Sequence, residues 1–165
     1  MIIGHGDIAS ALVDREDKLF FASGVSNSLE TRESEYQREK DLLYKQHPEF
    51  GHLQLVYFSS LAIFYSETRY TRHKKEMEDL VKQWPCYAIV RLGTITWGDN
   101  PNTIINSMKS KVARGEPLEI RDTTRYVIDK PEFQHWVSLI PKWNVEMMLT
   151  GQPYKVSEIV KKYVL

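Results

Sequence analysis

The sequence lacks the features that mark several large classes of protein. Its single cysteine, Cys86, excludes an internal disulfide and is typical of a reducing compartment. No apolar run approaches the ~18 residues of a membrane-spanning helix. The short apolar start follows no basic segment, so a signal peptide is not expected. We therefore expect a cytoplasmic protein without a membrane anchor.

An excess of charge of either sign is also missing. Lysine plus arginine number 22 and aspartate plus glutamate number 22, so the formal net charge is zero. A nucleic-acid surface needs a basic excess, and none is expected here. The five histidines are scattered without the spacing of metal ligands, so we predict no metal site. Zero net charge permits self-association.

The chain instead alternates between strand-like and helix-like segments. Strands are predicted at residues 1–3, 18–22, 53–59, 87–92, 118–121 and 125–128. Helices are predicted at residues 8–15, 30–46, 70–84, 103–114, 132–139 and 156–163. We expect the helix at 30–46 to face solvent and to end before Pro48. The alternation predicts one α/β domain, residues 1–165, with a parallel sheet of about five strands flanked by helices.

Polar segments follow three of the predicted strands, at residues 23–28, 59–60 and 93–98. Ligands of parallel sheets bind outside the carboxyl ends of the strands, so these segments are expected to meet at one site. Arg91 lies just before the third segment. We interpret it as a partner in a structural salt bridge rather than as a phosphate contact.

A hydroxyl, a phenol and an amine come in a suggestive order after the strand at 53–59. Ser60 is followed by Tyr70 and, one helical turn later, Lys74. A free tyrosine has a pKa near ~10, and a nearby ammonium favours its phenolate form. A serine hydroxyl can hold a substrate oxygen at hydrogen-bond distance. An isolated Tyr-x-x-x-Lys is more often an exposed lysine beside a half-buried tyrosine, but the order of strand, serines and helix favours acid–base chemistry.

A glycine-rich turn lies at the start of the chain. Gly4-His5-Gly6-Asp7-Ile8-Ala9 fits the pattern Gly-x-Gly-x-x-Ala between a strand and a helix. Glycines let the backbone approach a phosphate, and the following helix supplies free N–H groups. A tight turn that needs glycine only for packing is the alternative. Asp7 would repel phosphates, unless it points outward as a helix cap.

Together these segments resemble the short-chain dehydrogenase/reductase superfamily, in its extended and atypical branch of nucleotide-sugar epimerases, dehydratases and reductases. The resemblance rests on the glycine turn, LFFAS at 19–23, VYFSSLAIF at 56–64, YTRHK at 70–74, VRLGTITWG at 90–98 and MLTGQPYKVSEIV at 148–160. It implies a reduced Rossmann-like sheet. It also implies a cofactor and catalytic core at 1–115 and a reduced substrate lobe at 116–165.

The resemblance also implies a role for each site residue. It implies that Tyr70 is the catalytic acid/base. It implies that Lys74 favours the Tyr70 phenolate and holds the nicotinamide ribose. Ser60 is the implied residue whose hydroxyl holds the substrate oxygen. Ser59 is the alternative hydroxyl. The implied contacts to NAD or NADP are Gly4, His5, Gly6, Asp7, Ile8, Ala22, Ser23, Lys74, Thr94 and Ile95.

One departure from the family is large. Only about a dozen residues separate the glycine turn from LFFAS, where the family has two further strands with their helices. Half of the nucleotide platform is therefore missing. We expect weak cofactor binding or an adenine that is held in a different way, and the choice between NAD and NADP stays open. We also expect a sheet edge at residues 1–3, which a second copy of the chain could cover. The helices at 30–46 and 70–84 are the other route to a homodimer.

Three functions follow from these observations. The first is an NAD(P)-dependent oxidoreductase or epimerase/dehydratase-like enzyme that acts on a sugar or nucleotide-sugar hydroxyl or carbonyl through Ser60, Tyr70 and Lys74. The second is a non-catalytic nucleotide-binding or regulatory protein on a degenerate scaffold. The third is an enzyme that uses the same three residues without a dinucleotide. The first is favoured because all three reacting groups are present.

Overall fold

A computed structural model describes all 165 residues as an α/β fold built on two sheets. The strands are β1 (Ile2–Ile3), β2 (Lys18–Phe21), β3 (Gln54–Ser60), β4 (Tyr87–Leu92), β5 (Thr94–Ile95), β6 (Thr124–Ile128), β7 (Val145–Leu149) and β8 (Gln152–Lys155). The helices are α1 (Asp7–Ser10), α2 (Glu33–Phe50), α3 (Arg69–Val81), α4 (Ile104–Ala113), α5 (Lys130–Ser138) and α6 (Val156–Ile159). A 3₁₀ turn covers Leu61–Phe64, and a π turn covers Val160–Val164.

The main sheet has five parallel strands in the order β1-β2-β3-β4-β7. This confirms the predicted parallel sheet of about five strands. The central strands are buried on both faces, which is why they read as continuous apolar runs. The predicted edge also exists, since β1 pairs only with β2, over two residues.

The two faces of this sheet pack against different helices. Side chains alternate along β3, so Val56 and Phe58 join a core with α1 and α5, whereas Leu55 and Tyr57 join a core with α2 and α3. Ser59 therefore lies on the same face of the sheet as Tyr57, and Ser60 lies on the opposite face.

A smaller sheet stands beside the main one, in the order β5-β6-β8. It packs with α4 and the C-terminal turns around Ile105, Val127 and Ile159. The chain between these elements returns to the main sheet as β7, so the segment 116–165 contributes to both sheets. None of the helices has both the length and the apolar character needed to span a bilayer.

Several local predictions were wrong. Residues 118–121 form no strand, and Ile120 is exposed there, because no neighbouring strand offers this short segment a pairing edge. Helix α2 also continues through Pro48 to Phe50. Phe50 packs against the core beneath α2, and this tertiary contact outweighs the backbone bond that proline cannot donate. Nor is α2 wholly solvent-facing, since Tyr36, Glu39 and Leu43 are buried.

Candidate active site

The carboxyl ends of β2, β3 and β4 open into one cavity of about 640 Å³. Typical small-molecule sites have volumes of about 300–1,000 Å³, and this cavity lies within that range. The three polar segments predicted to converge, at 23–28, 59–60 and 93–98, all contribute to its wall. The rule for ligand sites in parallel sheets therefore places the cavity correctly.

Helix α3 brings Tyr70 and Lys74 to this cavity. The helix begins at Thr68, whose hydroxyl accepts from the backbone N–H of Thr71, while Thr71 Oγ1 accepts from the backbone N–H of Thr68. This reciprocal cap fixes the first turn, on which Tyr70 lies. One turn later Lys74 shares the same face, and its Nζ lies 5.7 Å from the centre of the Tyr70 ring.

The ammonium of Lys74 is held by buried partners on the other side. Its Nζ donates to Tyr57 Oη at 3.0 Å and lies 3.5 Å from Glu39 Oε1. Tyr57 in turn donates to Glu39 Oε1 at 2.8 Å. An ammonium has three N–H donors, so two point into the protein and one remains for the cavity.

Glu39 is the centre of this buried cluster and is fully buried itself. Burial alone would raise the pKa of its carboxyl, but Lys74, His73 and the backbone N–H of Val25 lower that pKa to about 2. The opposite holds for Tyr57, because burial and the Glu39 carboxylate raise the pKa of its phenol. Glu39 is therefore an anion and Tyr57 a neutral donor at neutral pH.

The two serines at the end of β3 differ in their surroundings. Ser60 Oγ accepts from the backbone N–H of Ala62 at 3.1 Å and so begins the 3₁₀ turn. Its proton remains available to a ligand. Ser59 Oγ is buried and has no hydrogen-bond partner. Both residues line the cavity, so the choice between them stays a prediction.

The glycine turn borders the cavity, but its two glycines serve different purposes. Gly4 has a φ of +121°, and a Cβ there would collide with the carbonyl of Ala22, so this glycine is needed for packing. Gly4 does not line the cavity. Gly6 does, and a Cβ there would meet nothing within 4 Å. The close approach of backbone to ligand is therefore open at Gly6 alone.

Asp7 lies at the cavity but faces the protein. Its carboxylate accepts from the backbone N–H groups of Asp99 and Asn100, each at 3.1 Å. Its carbonyl accepts from the indole N–H of Trp97 at 2.9 Å. This fastens the glycine turn to the loop after β5 and turns the negative charge away from the approach at Gly6.

The structure thus brings almost all predicted site residues to one place. The cavity is lined by Ser60, Tyr70 and Lys74 and by His5, Gly6, Asp7, Ile8, Ala22, Ser23, Thr94 and Ile95. Arg91 lies outside it and forms a two-pronged bond to Glu78, at 2.9 and 2.6 Å, and a bond to Glu146. The interpretation of Arg91 as a structural salt bridge is confirmed.

Sequence reasoning missed several residues of the cavity. They include Arg38 on α2 and Asn100 and Asn102 in the loop before α4. It also missed Glu39, although a signal was present. Tyr36, Glu39 and Leu43 are spaced like the buried stripe of a helix, and a lone carboxylate on such a stripe marks a buried charge.

No protein-family model matches the sequence. No curated protein matches it either. Solved structures do resemble the fold. The enzyme WbmG of Bordetella bronchiseptica, in complex with NAD and UDP, has a TM-score of 0.69 at 14% identity, over 88% of this chain and 54% of that one. UDP-glucuronic acid 4-epimerase from Bacillus cereus, in complex with NAD, gives 0.68 at 11% identity, over 88% and 58%.

A third structure agrees with these two. UDP-glucose 4-epimerase from Thermus thermophilus, in complex with NAD, has a TM-score of 0.65 at 13% identity, over 88% of this chain and 60% of that one. The chain has a shortened form of the α/β fold of these structures. This confirms the fold that the sequence resemblance implied. The chain spans little more than half the length of these structures.

Proposed function

We propose that this protein binds NAD or NADP in the cavity and acts on a hydroxyl or carbonyl of a sugar, or of a nucleotide sugar, by epimerase- or dehydratase-like chemistry. One observation carries the proposal. Ser60, Tyr70 and Lys74, 14 residues apart at most in sequence, line the same cavity as the open turn at Gly6. The NAD and UDP bound by WbmG, and the NAD bound by the two epimerases, support the choice of ligand class.

The cavity fits one half of a dinucleotide better than the other. Gly6 leaves room for a phosphate, the hydroxyl of Ser59 is buried without a partner, and the free donor of Lys74 faces the cavity. These groups suit the pyrophosphate and the nicotinamide ribose. Beyond β1 the sheet has no further strand to form a wall for adenine. We therefore expect weak binding, carried mainly by the nicotinamide half.

Residues of this chain would transfer the proton of the substrate hydroxyl. When bound, a nicotinamide ring supplies the acceptor or donor of a hydride at the substrate carbon. As a sugar hydroxyl is oxidised, the Tyr70 phenolate takes its proton, and in the reverse direction the phenol returns it. Lys74, whose Nζ lies 5.7 Å from the centre of the Tyr70 ring, would hold the nicotinamide ribose beside that phenol. Ser60 donates a hydrogen bond to the substrate oxygen.

The smaller sheet supplies the other side of the cavity, where we place the substrate lobe. Arg125 on β6 lines the cavity, and its guanidinium lies 5.6 Å from the centre of the Tyr65 ring. A planar cation over an aromatic ring suits a sugar or an anionic group. The division into a core at 1–115 and a substrate lobe at 116–165 remains our proposal, with β7 as the strand of the lobe that completes the main sheet.

A second function is favoured by a different observation. Lys74 already has a counter-ion in Glu39, and the adenine side of the platform is short. A protein that binds a nucleotide without catalysis would show both features. The two functions predict different effects of removing the Tyr70 hydroxyl. An enzyme would lose turnover, whereas a protein that only binds a nucleotide would have no turnover to lose.

The experiment combines binding with turnover. NADH and NADPH are titrated by nicotinamide fluorescence, and NAD(P) is incubated with a panel of nucleotide sugars. We expect Gly6→Val to weaken NADH binding by about tenfold or more, since its side chain enters open space where a ligand approaches. Tyr70→Phe should retain binding and lose about 10²–10⁴-fold in turnover.

The exposed Tyr44→Phe on α2 is the matched control and should change neither quantity. Binding without turnover of any sugar would favour the non-catalytic function. No binding of either cofactor at millimolar concentration would contradict both functions.

We also propose a cytoplasmic homodimer. The zero net charge and the unpaired edge of β1 support self-association. Multi-angle light scattering is the test, and a monomer at high protein concentration would contradict the dimer.

A further inference from the structure

The buried cluster around Glu39 contains more than a salt bridge. Each carboxylate oxygen has two partners. Oε1 accepts from Tyr57 and faces Lys74 Nζ, while Oε2 accepts from the backbone N–H of Val25 at 2.7 Å and lies 2.8 Å from His73 Nε2. These partners come from β3, from the loop after β2 and from α3. One side chain of α2 therefore joins three segments that border the cavity.

This cluster sets the position of the Lys74 ammonium. The Tyr57 hydroxyl donates its hydrogen bond to Glu39, so its oxygen is left to accept from Lys74. The order of donors is thereby fixed from the ammonium to the phenol to the carboxylate. A lysine side chain has four flexible carbons, and such a chain of bonds removes most of their freedom.

The loop after β2 covers this cluster at Gly24, where the space suits a glycine. A Cβ at Gly24 would lie 2.8 Å from both Glu39 Oε1 and Lys74 Nζ. Glycine is thus the residue that lets the loop after β2 close over the ion pair while Lys74 still reaches the cavity. A carboxylate and an ammonium buried this close together hold each other in the charged state, because either alone would be costly.

We propose that Glu39 is a positioning residue, which fixes the protonated amine of Lys74 at the cavity wall through Tyr57. Its part in catalysis rests on the proposed function, but the placement of the amine does not. The other titratable groups near the cluster are Tyr70, Tyr36, whose ring centre lies 4.6 Å from that of His73, Glu76, which lies 4.0 Å from His73 Nδ1, and Glu78, whose charge acts on Tyr57. Glu39 is the only carboxylate within hydrogen-bond distance of Lys74.

The test observes the amine directly. In protein labelled with ¹⁵N at the lysine amines, NMR reports how fast the protons of each ammonium exchange with water, and this exchange is slow where hydrogen bonds hold the amine. Replacing Glu39 by Gln keeps the shape and removes the charge. We expect proton exchange at Lys74 Nζ to become at least about tenfold faster, since a hydrogen bond to a charged group contributes about 1.5–3 kcal/mol.

Two controls separate this effect from general loosening. Lys18 is equally buried, on β2, but its partner is Gln54, so proton exchange at its amine should not change in Glu39→Gln. Glu49→Gln changes an exposed carboxylate on the same helix and should leave both lysines unchanged. Equal increases in exchange at Lys74 and Lys18, or no increase at Lys74, would overturn the proposal.

A second variant decides the case if Glu39→Gln does not fold. Tyr57→Phe removes only the hydroxyl between the two charges, and proton exchange at Lys74 Nζ should again become faster while that at Lys18 does not. An unchanged exchange rate at Lys74 there would overturn the proposal. NADH titration of the folded variants completes the test, with at least about tenfold weaker binding expected when the amine is displaced. If the wild type does not bind NADH, the proposed function fails, but the exchange rates still decide the role of Glu39.

Discussion

The two sides of the cavity are built very differently. On the side of β3 and α3, Lys74 rests on a buried cluster with a defined order of hydrogen bonds. On the side of β1, the sheet ends in a strand of two residues. The contrast teaches that a chain can shorten one edge of its sheet while it retains, in detail, the support of the side chains on the other side of the cavity.

The largest effect is expected on the side of β3 and α3, where Lys74 pairs with Glu39. Lys74→Ala leaves the Glu39 carboxylate buried without a cation, and we expect a loss of about 3–5 kcal/mol in the free energy of unfolding. The control is Lys75→Ala on the same helix, since Lys75 pairs with Glu67 at the exposed surface, where such a pair contributes at most about 1 kcal/mol. Urea denaturation measures both, and equal losses would contradict the comparison.

The stability that the side of β3 and α3 contributes should also decrease in acid. The pKa of Glu39 is lowered in the folded state to about 2, below its value in the unfolded chain. The stability that this carboxylate contributes is therefore present above its unfolded pKa, near ~4.3, and is lost as the pH falls toward 2. Unfolding measured across this window should show a steeper loss in the wild type than in Glu39→Gln. Parallel curves would rule out this carboxylate as the source.

A smaller effect distinguishes the two serines. If Ser60 holds the substrate oxygen, Ser60→Ala should lower kcat/KM by about ten- to hundredfold, equivalent to one hydrogen bond of about 1–3 kcal/mol. Ser59→Ala is the matched variant and should have less effect on turnover. The reverse order would assign the hydroxyl to Ser59, which shares the face of β3 with Tyr57.

The smallest effect is expected on the side of β1, where the sheet ends. Reduced nicotinamide mononucleotide lacks the adenylate half of NADH. Without a wall for adenine, the two should bind within about tenfold of each other, or about 1.4 kcal/mol. Competition titration compares them directly. Sub-micromolar NADH affinity with much weaker mononucleotide binding would show that the adenine is held after all.

Much of this contrast was readable from the sequence, because the signals were strong. The run at 87–92 matches β4 to the residue, since a strand buried on both faces is apolar throughout. The short distance from the glycine turn to LFFAS correctly indicated the sheet edge. The spacing of Tyr70 and Lys74 correctly placed both on one helical face.

The remainder depended on contacts between distant segments. The length of α2 was wrong because Phe50 packs on a core that no local pattern reveals. Glu39 was missed because its partners come from residues 25, 57, 73 and 74, which only the fold brings together. Similarly, nothing near Asp7 in sequence indicated that its carboxylate would bind the loop at 99–100.

That last contact bears on the order in which the molecule assembles. Asp7 and the backbone of Asp99 and Asn100 are separated by 92 and 93 residues. Contacts of such long range are slow to form, because the chain between them must first lose its freedom. We therefore expect the glycine turn to be fastened only once β4 and β5 are in place. Competence to bind a ligand should accordingly appear as one of the last events of folding, after the central strands have already gained protection from hydrogen exchange.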